Sequence, residues 1–317
     1  MADMSLTHSA DKETNRLQRF LARFTWGDAL VLVILIVLLI GIAFPFWWVL
    51  RTALTNPDKV FTDTSSLLPV GTTTLNFERV LGLIDGTELV GMGVVNPNIS
   101  TATLNFWIFL RNSFIFSFLI ALGQTVFSTM SAYAFARFEF PFRDAIFFFF
   151  LTGLMVPGIV LFIPNFVLIR QLGLIGTFAG MVAPFFLMTP YAVFFMRQFF
   201  LGLNRDLEEA ATLDGATKIG IFWRVGVPLV QGPILTLAIL TFIGSWNEYL
   251  WPLLVGRSED VRVLTVALAI FRQQTPQGAP DWAGLMAGTT VGVIPTILIF
   301  IFFGRKVVDS IQFSGFK

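Results

Sequence analysis

The 317-residue chain is 55% hydrophobic and only 13% charged, with 37 Phe and a formal net charge of +1 at pH 7. At a mean hydropathy of +0.77 it carries more apolar surface than a water-soluble fold of this length can hide, so lipid is its solvent. There is no cysteine, which excludes disulfides, thiolate catalysis and Cys-ligated metal, and no basic block that would serve as a footprint for nucleic acid.

Residues 1–15 are polar and contain the single histidine, His8, which reads as a solvated tail residue. From Arg16 to Phe24, Leu17, Phe20, Leu21 and Phe24 fall at i, i+3, i+4 and i+7 among three arginines. That pattern fits a short amphipathic helix lying on the membrane face, so residues 1–27 are read as a cytoplasmic tail with an interfacial helix. The apolar run that follows is too long for a signal peptide and has no small-residue cleavage site. Residues 28–317 then form the membrane region.

Ala29–Leu50 is uncharged and about 33 Å long as a helix, enough to cross a bilayer, with Trp47 and Trp48 at its far end suiting the interface. Residues 51–105 form the longest polar connection, and residues 83–103 within it, rich in Gly, Asn and Thr, read as a small excursion with turns or strands. Further spans are expected at 106–136, 145–169, 178–196, 229–255 and 283–303, six in all, which puts both ends on one side. Pro157 and Pro164 in the third span, and Pro184 and Pro190 in the fourth, predict kinks. Gln124, Ser128, Asn165 and Thr189 are polar residues within spans, explained at least as well by helix–helix hydrogen bonds as by solute contact. Arg111 and Asn112 are read as snorkelling to the outer interface, and Phe147–Phe150 as lipid-facing or packing residues.

Lys and Arg decide the orientation. Thirteen lie on the side of the two termini (Lys12, Arg16, Arg19, Arg23, Arg137, Arg143, Arg197, Arg205, Lys218, Arg224, Arg305, Lys306 and Lys317). Eight lie on the other side, spread over more residues (Arg51, Lys59, Arg79, Arg111, Arg170, Arg257, Arg262 and Arg272). The positive-inside rule therefore places both termini, and the loop at 197–228, in the cytoplasm of a multi-pass cell-membrane protein.

That loop is a polar, helix-prone island. Asp206 and Glu209 have the spacing of a capping box, Gly215 is the natural C-terminal stop of a first helix, and a second piece carries Ile219, Phe222 and Trp223 before Pro228. Ala210 and Ala211 are small enough to let another protein approach closely. Glu209-Ala210-Ala211, then Gly215 after three residues, then Val225-Gly226-Val227-Pro228 after nine more, closely resembles the EAA loop of binding-protein-dependent ABC importer permeases. The usual pattern ends Ile-x-Leu-Pro, two conservative apolar changes away.

The resemblance implies an all-α integral membrane fold of six transmembrane helices with a cytoplasmic coupling helix (the MetI/MalG-like permease fold). It implies that Glu209, Ala210, Ala211, Asp214 and Gly215 couple to a cytoplasmic ATPase. Trp246-Asn-Glu-Tyr-Leu-Trp-Pro-Leu-Leu-Val255, and Asp281-Trp-Ala-Gly-Leu-Met-Ala-Gly288 leading to Ile294-Pro295-Thr296, are similar to the carbohydrate-uptake branch, of the MalG type. The partners so implied are a second, different permease subunit in a heterodimer, two ATPase subunits carrying ATP and Mg, an extracytoplasmic solute-binding protein and a sugar-type solute. The tail Ser310–Lys317 matches the branch's ATPase-contacting tail only imperfectly.

This chain has no G-x-x-x-x-G-K-[ST], so nucleotide is expected on another polypeptide and no cofactor, metal or catalytic residue is expected here. Glu248 in the fifth apolar run has two readings. With Asn247 it lines a solute path, or it sits partly hydrated in an aromatic belt with Trp246, Tyr249 and Trp251. The competing function is an ion- or proton-coupled carrier acting alone, which would want an intramembrane relay of ionisable groups that this chain does not display. A membrane enzyme would need a clustered acid pair or an intramembrane His, and neither is present.

Overall fold

A computed structural model describes residues 25–84, 88, 104–273 and 280–312. The amphipathic stretch at 16–24, almost all of the expected excursion at 83–103 and residues 313–317 of the tail lie outside these. The chain divides after Arg51 into two units.

The first unit carries α1 (Trp26–Ala53) almost to its end. It starts on a reciprocal cap: Thr25 N–H and Oγ1–H both donate to Asp28 Oδ2 at 2.8 Å, and Asp28 N–H donates to Thr25 Oγ1 at 3.3 Å. From Leu30 to Phe46 every side chain is exposed, so the helix shows lipid-compatible residues on all faces.

In the second unit, helix α2 (Leu75–Val80) lies in the long connection. The long α3 (Phe106–Arg137) is the element on which the others pack. Between its buried aromatic residues its inner face carries small ones, Ser117, Ala121, Gly123, Thr125, Ser128 and Ala132, which let helices approach when lipid offers no hydrophobic drive between them. Gly123 shows how close: a Cβ there would stand 2.2 Å from the Phe186 carbonyl oxygen. Two polar residues of this helix bond to the backbone at 185–189. Gln124 Nε2 donates to Phe185 O at 2.9 Å, and Ser128 Oγ accepts from Thr189 N–H at 3.4 Å.

The third to fifth spans are broken rather than kinked. Helices α4 (Arg143–Leu151, prolonged by a 3-10 turn to Met155) and α5 (Gly158–Gln171) meet at 96°. Pro157 has no N–H to continue the ladder and holds Val156 in an extended conformation, so the chain turns a corner there. Pro164 lies within a continuous α5. Helices α6 (Phe178–Phe186) and α7 (Pro190–Leu201) meet at 45°, and Pro190 is the first residue of α7, with Thr189 Oγ1 accepting from Ala192 N–H at 3.4 Å.

After the loop helices α8 (Asp206–Leu213) and α9 (Lys218–Ile221), which runs on helically to Leu229, α10 (Gln231–Trp246) leaves at 78°. The fifth span thus stops at Trp246, not at Val255. Asn247 Nδ2 donates back to Ile243 O at 2.8 Å, and a separate helix α11 (Leu250–Val255) begins beyond. Short helices α12 (Leu264–Ala267) and α13 (Ile270–Gln273) precede α14 (Trp282–Gln312). Three single helices and three bent pairs are long and apolar enough to cross a membrane, up to six crossings, and no strand occurs among the described residues.

The connections before α3 and α14 are pinned by polar groups. Asn112, expected to snorkel, is fully buried: its Nδ2 donates to Asp260 O at 2.8 Å and Arg262 O at 3.0 Å, so it anchors a loop instead. Arg79 of α2 forms a buried ion pair with Asp281, whose Oδ1 caps α14 by accepting from Gly284 N–H at 2.9 Å. The Arg79 guanidinium also lies 5.7 Å from the Phe271 ring centroid.

Candidate functional site

Helix α8 does not open on the expected capping box. Asp206 is its first residue rather than its cap, and its N–H donates to Asn204 Oδ1 at 3.1 Å while Asn204 Nδ2 donates to Asp206 Oδ2 at 2.9 Å. Asn204, two residues upstream, competes successfully because its amide offers both a donor and an acceptor.

The C-terminal end is as expected. Gly215 has φ +83°, its N–H donates to Thr212 O at 3.0 Å, and Ala216 N–H donates to Ala211 O at 3.0 Å. This 6→1 and 5→2 pair is a Schellman stop. Asp214 is the C-cap residue and is exposed. Thr217 then caps α9, accepting from Gly220 N–H at 3.2 Å.

The helix has two distinct sides. Asp206, Glu209, Ala210 and Leu213 fall at i, i+3, i+4 and i+7 and all are exposed, Leu213 to 90%. Glu208 and Ala211, on the other side, are half-buried. Of the three apolar residues expected on one side of the second piece, only Phe222 turns inward, whereas Ile219 and Trp223 remain exposed at 72% and 52%.

The seat of the loop is aromatic. Tyr133, near the end of α3, has its ring 5.0 Å from Phe222, 5.2 Å from Phe200 and 5.6 Å from Phe138. Gly226 faces this cluster, and a Cβ would lie 3.3 Å from Tyr133 Cε2. The Val225-Gly226-Val227-Pro228 motif takes a π turn over Phe222–Gly226, with Val227 N–H donating to Phe222 O. Pro228 cannot donate to the carbonyl four residues back, so the register slips by one before the span bends.

Arg137, the last residue of α3, reaches into this loop. Its Nη2 donates to Leu203 O at 2.8 Å and its Nε lies 3.0 Å from Glu208 Oε1, with the two side chains 4% and 18% exposed. Sequence reasoning used Arg137 only as a topogenic charge and left Glu208 unassigned. Nothing in the spacing links positions 137 and 208, so only the fold reveals the pair.

Asn247 and Glu248 stand beyond the far end of α10, whose 16 residues rise about 24 Å. They are therefore not part of the same site. Both are exposed, and Glu248 Oε1 accepts from Leu250 N–H at 3.1 Å and Trp251 N–H at 3.3 Å, which starts α11. Among the described residues no cluster of His, Asp or Glu is arranged to hold a metal ion.

Comparison with known proteins bears on this geometry. The sequence pattern of the family described as "Binding-protein-dependent transport system inner membrane component" matches residues 124–312. An arabinooligosaccharides transport system permease protein, AraQ of Halalkalibacterium halodurans, is 34% identical over 275 residues, covering 80% of this chain and 96% of its own. An sn-glycerol-3-phosphate transport system permease protein, UgpE of Escherichia coli O1:K1 / APEC, is 33% identical over 280 residues, with 86% and 94% covered. A chain from the crystal structure of a bacterial ABC transporter involved in the import of the acidic polysaccharide alginate superposes with a TM-score of 0.72 at 21% identity, over 89% of this chain and 98% of that one. At that identity the likeness speaks for the fold.

Proposed function

Because the chain belongs to the family of binding-protein-dependent transport system inner membrane components, we propose that it is the transmembrane permease subunit of an ATP-driven importer for a sugar, oligosaccharide or related polyol. The observation that carries the coupling part is the exposed stripe Asp206, Glu209, Ala210 and Leu213, held by the Schellman stop at Gly215 and lying within the EAA-like motif. An acidic and an apolar side chain beside a small one make a surface on which another protein can close. The solute class is supported by the names of AraQ and UgpE, both permeases for hydroxyl-rich solutes.

In this reading ATP and Mg bind two ATPase subunits in the cytoplasm, a second permease completes the membrane pair, and a binding protein delivers solute on the other side. Both termini lie in the cytoplasm, as the Lys and Arg distribution argues. Closure of the ATPase pair displaces α8, and the bent spans rearrange between inward- and outward-open states that differ in their contacts.

Co-purification from membranes in mild detergent tests this. The native chain should bring down an ATPase and a second permease; Glu209→Lys, Gly215→Pro and Leu213→Asp should lose the ATPase alone. A native chain that purifies by itself and still transports returns the ion- or proton-coupled carrier. For the solute path the proposal keeps Asn247 and Glu248. Glu248→Gln retains an oxygen to cap α11, so it should lower uptake with assembly intact; unchanged uptake assigns the carboxylate to capping alone.

A further inference from the structure

We propose that Arg137 is the positioning residue that clamps the docking helix α8 to the end of the second span, so that the two move as one body. The proposal rests on the reading of α8 as the docking helix and says where its displacement goes first. In chain order α8 is continuous with α7 and, through α9, with α10, so the covalent routes lead into the fourth and fifth spans. Its non-covalent route leads elsewhere. Arg137 Nη2 holds the carbonyl of Leu203, three residues before the helix, while Nε faces Glu208 in its first turn at 3.0 Å. One side chain thus fixes both the approach to α8 and the helix itself.

The surroundings suit a rigid joint. Arg137 is 4% exposed, so its charge is removed from water and faces these two partners. The Nε–Oε1 contact lacks the alignment of a hydrogen bond, which leaves it a close ion contact beside the aligned bond to Leu203. Tyr133, one turn earlier on α3, packs on Phe200 of α7 and Phe222 of the π turn, so the same helix end grips the loop on both sides of α8. Helix α3 in turn packs along α10, α7 and α6. A push on the exposed stripe therefore enters the bundle through its central helix.

The absence of cysteine allows a test by paired spin labels. Labels at Met130→Cys on α3 and Thr212→Cys on α8, both exposed, read the joint in the full chain in detergent. Labels at Met130→Cys and Leu240→Cys read the packing of α3 on α10 as a control. The native background should give one narrow Met130–Thr212 distance. Arg137→Met should broaden it or add a second population while the control distance stays, Glu208→Gln should do so more weakly, and Arg137→Lys, which keeps the charge but can hold only one of the two partners, should restore the narrow distance only in part.

An unchanged Met130–Thr212 distribution in Arg137→Met overturns the clamp. So does a change shared equally by the control pair, which would mean general loosening. If Arg137→Met does not fold, Glu208→Gln decides on the same criterion. Co-purification of an ATPase with the native chain is a separate measurement: its failure removes the docking reading and leaves the distances to judge the joint.

Discussion

The buried pair Arg79–Asp281 offers a quantitative test of how the connections before α3 and α14 are held. The two side chains are 4% and 2% exposed and come from positions 202 residues apart. Removing one partner leaves an uncompensated buried charge, which costs about 3–5 kcal/mol, whereas removing both charges costs far less than the sum. Asp281→Asn keeps an oxygen to accept from Gly284 N–H, so the cap of α14 survives and only the charge is lost. Arg79→Met keeps an apolar stem near the Phe271 ring and gives up a cation–π contact of about 0.5–2 kcal/mol. Each single variant should therefore fall by about 3–5 kcal/mol, and the double variant should lie about 2–3 kcal/mol above simple addition. Denaturant titration in micelles, followed by Trp fluorescence, measures all four proteins. Additivity within about 0.5 kcal/mol would refute the reasoning, since groups that touch must couple.

Two further outcomes follow from glycines. Gly123→Ala places a methyl group 2.2 Å from the Phe186 carbonyl oxygen, so α3 and α6 must part; the expected loss is about 1–3 kcal/mol, seen as a lowered thermal midpoint, with the Gln124–Phe185 bond weakened alongside. Gly215→Ala meets no atom within 4 Å, so its cost is the left-handed backbone alone, about 1–2 kcal/mol; a destabilisation as large as a buried clash would contradict this.

The second and sixth spans were legible because each is one long apolar run, and the structure puts them at Phe106–Arg137 and from Trp282 onward. The broken spans were legible as apolar stretches but not as corners. A proline announces that the ladder is interrupted, yet the angle depends on what the freed segment packs against; Pro157 sits at a 96° break and Pro164 inside a helix. The fifth span bends at Val230, a residue with no breaking tendency of its own, where the π turn and Pro228 upstream do the work. In the loop, the stop at Gly215 was legible because a positive φ has few suppliers. The start was misread because Asp206 and Glu209 satisfy a spacing that Asn204 overrides. Pairs such as Arg137–Glu208 or Asn112 with the 260–262 backbone bridge distant parts of the chain, and no local pattern records them.

The uniform exposure of α1 from Leu30 to Phe46 says something about what selection can see there. In a packed core each side chain is judged by shape, and a misplaced methyl group is felt; side chains exposed along the whole of a stretch meet no such test among the described residues. The stretch is judged by its partition between water and hydrocarbon, a property that Leu, Ile, Val and Phe share almost interchangeably. Its spelling is therefore free to drift while its length and oiliness are not, and a library of substitutions across it would rank variants by polarity and hardly at all by volume.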